Sequence, residues 1–246
     1  MSTWSRLSYQ HDYLAIAQGD VNYYSSVQKF GANFDVSSNS DPESVWSAGG
    51  LYPWSALDAA ETLYVISTNA GDTDTILLEG LDANYLPLTE SVQMAGQTAV
   101  ATVNQFKRIY RMEYNHGTIN AGTVTARTVS GTGVVVAQVD PTLAQTLMAV
   151  YTVPAGFTGY LLNLDFSVNK GKDAQCRLYA REFSTSFRIK HLTEVYESSY
   201  RYDFTVPLHF PEKTDIDIIA YQVESANTRV SCNFDLILVD NARPNH

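Results

Sequence analysis

From Tyr160 to Val168 the chain alternates: Tyr160, Leu162, Leu164, Phe166 and Val168 fall on one side, and Asn163, Asp165 and Ser167 on the other. A period of two marks a strand with one face in a core and the other in water. Just upstream, Pro154 fixes φ and Gly156 supplies a permissive residue, so Ala149–Val168 reads as strand, tight turn, strand. The pattern recurs in Gln175–Glu182, Phe187–Tyr196, Tyr200–Leu208, Asp215–Val223 and Arg229–Val239. With Leu147–Val153 these predict seven or eight antiparallel strands, and so a jelly-roll-like sandwich over residues 140–246.

Upstream of Asp140-Pro141 the strands are shorter: Thr62–Thr68, Thr75–Glu79, Leu88–Met94, Thr98–Val103, Phe106–Tyr114, Gly122–Thr128 and Val134–Val139. Turn residues such as Asn69-Ala70-Gly71-Asp72 and Ser130-Gly131-Thr132-Gly133 separate them. Seven short strands at this spacing predict an immunoglobulin-like β-sandwich over 51–139. Residues 1–50 keep no lasting period. Trp4, Tyr9, Tyr13, Tyr23, Tyr24, Phe30, Phe34 and Trp46 are scattered irregularly among Ser, Asn, Gln and Gly. Such a segment cannot build its own core, yet leaving so many rings in water is costly. It is expected to be an extended arm lying on its own domain or on a neighbouring subunit, with those eight aromatics as the assembly interface. The predicted fold is therefore all-β: an arm followed by two antiparallel sandwiches.

Composition narrows the function more than the fold. Hydrophobic residues make up 45% and charged residues 17% of 246, which excludes a disordered chain. The net charge of −10 is spread along the chain, and phosphate neutralisation needs a Lys/Arg-rich face, so no nucleic-acid partner is expected. No apolar run approaches the ~20 residues of a membrane span, and the N-terminus lacks the basic-then-apolar order of a signal peptide. No membrane partner is expected either. Cys176 and Cys232 both sit on apolar strand faces, as buried free thiols or as a cross-strand disulfide.

Catalytic chemistry is hard to find. The five histidines form no paired metal motif, and no phosphate-binding or nucleophile-elbow glycine pattern occurs. Asp72 and Asp74 lack the rest of a calcium loop and read as a solvated turn. Asp215 and Asp217 share a strand face and read as an outward acidic face rather than a catalytic pair. No catalytic, metal or cofactor site is expected, and the chain reads as a non-enzyme. Arg177, Tyr179 and Arg181 share one strand face, and Tyr200-Arg201-Tyr202 is a second Tyr- and Arg-rich strand. They read as an outer face with cross-strand pairs, as a subunit contact, or as a place where a glycan stacks.

Several segments carry a family resemblance: KFGANFDV, SVWSAGGLYPW, ILLEGLDANYLPLTESVQMAG, LMAVYTVPAGFTGYL, VNKGKDAQCRLYARE and FPEKTDIDIIA with VSCNFDLILVDN. They resemble a group of virion structural proteins of tailed bacteriophages, common in aquatic phages, across about Lys29 to Asn241. The resemblance implies a particle component without enzymatic activity, made in the host bacterial cytoplasm and located in the virion. A head decoration or cement protein is the leading expectation, with a tail or fibre-attachment component as the alternative. Its partners would be further copies of itself, in a closed trimer, and virion proteins such as the major capsid protein or tail components. A carbohydrate- or receptor-binding module is the rival reading, with sites on loops such as Asn69–Asp74, Asn115–Gly122 or Asn169–Asp173.

Overall fold

A computed structural model describes residues 9–37, 41–114, 119–223 and 225–244. The chain opens with α1 (Tyr9–Gln18), β1 (Tyr24–Val36) and β2 (Glu43–Ser44), followed by a short 3-10 turn at Trp54–Leu57. Seven strands come next: β3 (Glu61–Ser67), β4 (Thr75–Leu81), β5 (Pro87–Gln93), β6 (Val100–Phe106), β7 (Arg108–Tyr114), β8 (Val124–Arg127) and β9 (Val135–Val139). Then follow β10 (Val150–Thr152), β11 (Phe157–Val168), β12 (Asp173–Arg181) and β13 (Arg188–Tyr196). The last three are β14 (Ser199–Phe210), β15 (Asp215–Tyr221) and β16 (Thr228–Asp240). The strands lie close to where the alternation places them, and the architecture is all-β.

The second sandwich pairs the sheet β1-β16-β11-β14 with the sheet β10-β15-β12-β13, and β2 joins the latter on β15. Both β2 and β10 bond to β15, through Ser44↔Ile219 and Val150↔Asp217, so they are two pieces of one interrupted strand. Counting them as one gives eight strands, in orders 1-8-3-6 and 2-7-4-5. Those are the orders left when a long antiparallel ribbon rolls up on itself, which is a jelly roll. Its core holds Leu161, Leu164, Phe166, Leu178, Ile216, Ile218, Phe234 and Leu236. Cys176 and Cys232 are buried there as free thiols.

Residues 24–36, placed in the arm by the sequence, are in fact the first strand of this jelly roll, paired with β16 from Tyr24↔Val239 to Val36↔Thr228. The period was invisible because the buried positions of β1 include Lys29, Gly31 and Asn33, none of which a hydrophobic pattern can detect. Gly31 is there because of what crosses it. A Cβ on Gly31 would overlap the backbone of Ala149 and Val45.

That crossing is where the other sandwich leaves and returns. The chain departs after β2 and comes back into β10 as an antiparallel pair: Ser47 N–H donates to Leu147 O (3.0 Å) and Ala149 N–H to Val45 O (2.9 Å). The sandwich of β3 to β9 is thus inserted within one jelly-roll strand. It has sheets β6-β3-β8-β9 and β5-β4-β7 around Leu63, Ile76, Leu78, Phe106, Met112 and Val124. Seven strands divided four and three match the immunoglobulin count, but the order differs. There the first strand pairs with the second, whereas β3 lies between β6 and β8. Trp46, also assigned to the arm, is buried in this core, edge-on to Tyr52 with ring centroids 5.2 Å apart.

Candidate assembly surface

The two sandwiches meet along β15, which is buried on both faces through its first six residues. Ile216, Ile218 and Ala220 face the jelly-roll core, and Asp215 and Asp217 face the inserted sandwich. This overturns the expectation of an outward acidic face. Arg108, the first residue of β7, grips Asp215 with Nε to Oδ1 (2.8 Å) and Nη2 to Oδ2 (3.0 Å). Arg181 on β12 approaches the same carboxylate at 2.6 Å, and the Thr152 hydroxyl donates to it at 2.6 Å. The side chains of Arg108 and Asp215 are each about 95% shielded from solvent (5% and 4% exposed). Removing one partner of such a pair strands the other charge and costs about 3–5 kcal/mol.

Asp217 lies two residues on. Its Oδ2 accepts from Trp54 Nε1 (2.8 Å) and Ser44 Oγ (3.1 Å), while Oδ1 has no hydrogen-bond partner among the described residues. Burial pushes its carboxyl up to about 7 against those stabilising bonds. Lys29 forms a second buried tie between the sandwiches. Its ammonium donates to Tyr110 O and packs near the Tyr110 ring, 5.6 Å from the centroid. Burial, with Arg111 adding, pulls its pKa down to about 7. Asp217 is buried between packed surfaces, whereas Lys29 also lines a cavity of about 370 Å³ with Glu79, Tyr110 and Tyr151.

Asp72 is likewise buried rather than solvated. It accepts from Ser67 Oγ (2.6 Å), Ala121 N (2.8 Å) and Gly122 N (2.9 Å), which commits its oxygens to holding loops together. Burial would raise its pKa, but these bonds prevail and lower it. Among the described residues no group of three His, Cys, Asp or Glu could hold a metal.

The aromatics named from the sequence are dispersed. Trp4 lies outside the described residues, as does the side chain of Tyr9. Tyr13 is exposed on α1, Tyr23 is exposed in the turn before β1 with φ 70°, and Phe34 is exposed near the end of β1. Tyr24 opens β1 beneath the Arg243 guanidinium (5.2 Å to the ring centroid), Phe30 is half-buried opposite Asn233, and Trp46 is in a core. α1 stands off the sheet β1-β16-β11-β14. Between them is a groove of about 710 Å³, walled by Tyr13, Leu14 and Ile16 on one side and Val27, Pro207 and Ile237 on the other. Arg177 and Tyr179 share a half-buried face, with Arg177 stacked 4.2 Å from the Tyr221 ring centroid and bonded to the Tyr179 hydroxyl (3.2 Å). Arg181, on that same face, is drawn instead into the seam with Asp215.

One further surface includes Tyr200-Arg201-Tyr202, a candidate contact from the sequence, and extends beyond it. β13 and β14 are the last strands of the two jelly-roll sheets, and they meet through side chains rather than backbone pairing. Val206 on β14 is 78% exposed, within the stretch 204–207 where the pairing with β11 is interrupted, and Tyr202, opposite core Leu164, is 40% exposed. Among the described residues, five of the sixteen exposed large apolar side chains stand on these two strands. Tyr202 and Val206 are on β14, and Ile189, Leu192 and Tyr196 are on the outer face of β13, opposite Tyr179, Arg177 and Asp173. His191 of β13 bridges to β14, 4.8 Å from the Tyr202 ring centroid and 5.9 Å from that of Phe204. A legible signal was present in the sequence alternation Tyr200, Tyr202, Phe204, Val206 and Leu208.

No family model matches the chain, and no curated protein matches it. Among solved structures it is similar to the infectious bursal disease virus Gx strain structure, at 9% identity and a TM-score of 0.26, covering 90% of this chain and 73% of that one. The VP2 subviral particle of infectious bursal disease virus gives 10% identity and a TM-score of 0.22 over the same shares.

Proposed function

We propose that the chain is a non-enzymatic structural subunit of a virus particle, which works by covering surface on its neighbours. The observation that carries this reading is the open β13–β14 edge. Unpaired edges and contiguous apolar patches are liabilities in a free protein and are normally blunted or covered. Here the edge is 12 residues long on β14, and it carries core-side Tyr202 and, in the interrupted stretch 204–207, Val206 into water. A second copy of this chain suits it. Residues 188–210 hold Arg188, Lys190 and Arg201 against Glu194, Glu197 and Asp203, a neutral strip in a molecule of net charge −10. Two copies meeting there avoid the repulsion they meet elsewhere. A closed trimer is the preferred state, on the habits of jelly-roll virion proteins, with the strip of one copy meeting a different face of the next.

Within that reading, a tailed-phage head decoration or cement protein comes first, resting on the resemblance of the sequence. A tail or fibre-attachment component is its alternative. The exposed residues ahead of β1, Tyr13, Leu14 and Tyr23, supply the contact to the neighbouring shell protein. The jelly-roll role of β1 fixes where the arm can be cut. Deleting residues 1–22 is expected to leave the fold and melting temperature nearly unchanged while lowering occupancy on particles at least tenfold in a sedimentation assay. Undiminished occupancy would remove the arm from the mechanism.

A further inference from the structure

Beside the seam, a cleft of about 210 Å³ opens between the sandwiches, and its cations exceed what the fold requires. Lys107, Arg108, Arg181 and Lys213 all line it, four of only sixteen Lys and Arg in a chain of net charge −10. Arg108 and Arg181 are engaged by Asp215 at its floor, and Glu182 on the rim pairs with Lys190 (3.6 Å). Asp58 accepts the Lys107 ammonium through its backbone carbonyl. Neither Lys107 nor Lys213 forms an ion pair among the described residues. The Lys213 ammonium lies over the Tyr85 and Phe183 rings, 5.9 and 5.2 Å from their centroids, and Phe183 is 56% exposed.

The backbone adds an independent observation. Tyr85, Ser184 and Lys213 come from three different turns, all line this cleft, and all take positive φ (63°, 62° and 60°). Glycine would adopt each conformation without the steric penalty of a side chain. Strained positions gathered at one place point to function there. In Tyr85 and Lys213 the side chain retained at that penalty is a ring or a cation facing the cleft.

We propose that this cleft binds a small organic carboxylate the size of one acidic sugar residue. Lys107 and Lys213 meet the carboxylate, and the exposed Phe183 ring packs on the ligand ring's apolar side, while buried Tyr85 holds the cations in place. The volume lies below the ~300–1,000 Å³ of sites for drug-sized ligands, which suits a single ring. The site is separate from the β13–β14 edge, so it stands or falls apart from the assembly reading.

Titrating the full chain with sodium glucuronate, followed by chemical-shift changes, tests the assignment. Saturable binding is expected that weakens with added salt and is at least tenfold tighter than for glucose. Lys107→Gln and Lys213→Gly should each weaken it at least tenfold. Because glycine suits φ 60°, Lys213→Gly should melt no lower than the parent, which separates lost binding from lost folding. Glucuronate binding no better than glucose, or unchanged binding in Lys213→Gly, would overturn the site. Inorganic sulfate binding as tightly as glucuronate would overturn the sugar assignment.

Discussion

At the scale of single residues, the most constrained positions are those where the two sandwiches touch. Gly31 lets β1 pass against the crossing at Val45 and Ala149. Gly31→Ala should destabilise by at least the ~1–3 kcal/mol of an overpacked core, because backbone rather than a flexible side chain is in the way. A urea melt measures this, and a change below about 0.5 kcal/mol would contradict the crossing geometry. Asp217 makes a second prediction, with a sign. Its carboxyl is raised from 3.8 to about 7 in the fold. The neutral form's stability is complete below the unfolded value and is lost as pH rises through the folded one. At 1.36 kcal/mol per unit, that loss is roughly 4 kcal/mol between pH 4 and 8. Asp217→Asn keeps an acceptor for Trp54 and Ser44 and should lack this slope, melting higher than the parent at pH 8 but not at pH 4. Parallel pH profiles for the two proteins would show that Asp217 titrates normally.

At the scale of elements, alternation told the truth wherever one face is apolar and the other wet. β11, β12 and β16 were readable for that reason, and the inserted strands were located to within a few residues. β1 was not, because a strand that buries Lys29, Gly31 and Asn33 has no hydrophobic signature. β15 was located, but its second face was misread. The clue was Ile219 on the same side as Asp215 and Asp217, followed by Tyr221, an apolar continuation that a solvent face does not need. The candidate assembly surface was half legible. The alternating apolar residues of β14 were visible, whereas its position at a sheet edge depends on pairings that only the folded topology supplies. The aromatic arm dissolved into three roles: Trp46 in a core, Tyr24 and Phe30 in a strand, and Tyr13, Tyr23 and Phe34 on the surface.

At the scale of the whole molecule, a jelly roll carries a second sandwich inside one of its strands, and the two are tied by buried charges. The insertion leaves and re-enters through adjacent backbone, so the jelly roll closes as though the strand were continuous. What it does not close is its far edge. The central claim is that β13 and β14 become covered when the protein assembles. Hydrogen exchange on the free chain and on assembled particles measures that directly, amide by amide. Protection of Ser199–Phe210 by at least tenfold on assembly, with the β11 and β16 amides unchanged, is the predicted result. Exchange along β14 that is equally fast in both states would contradict it.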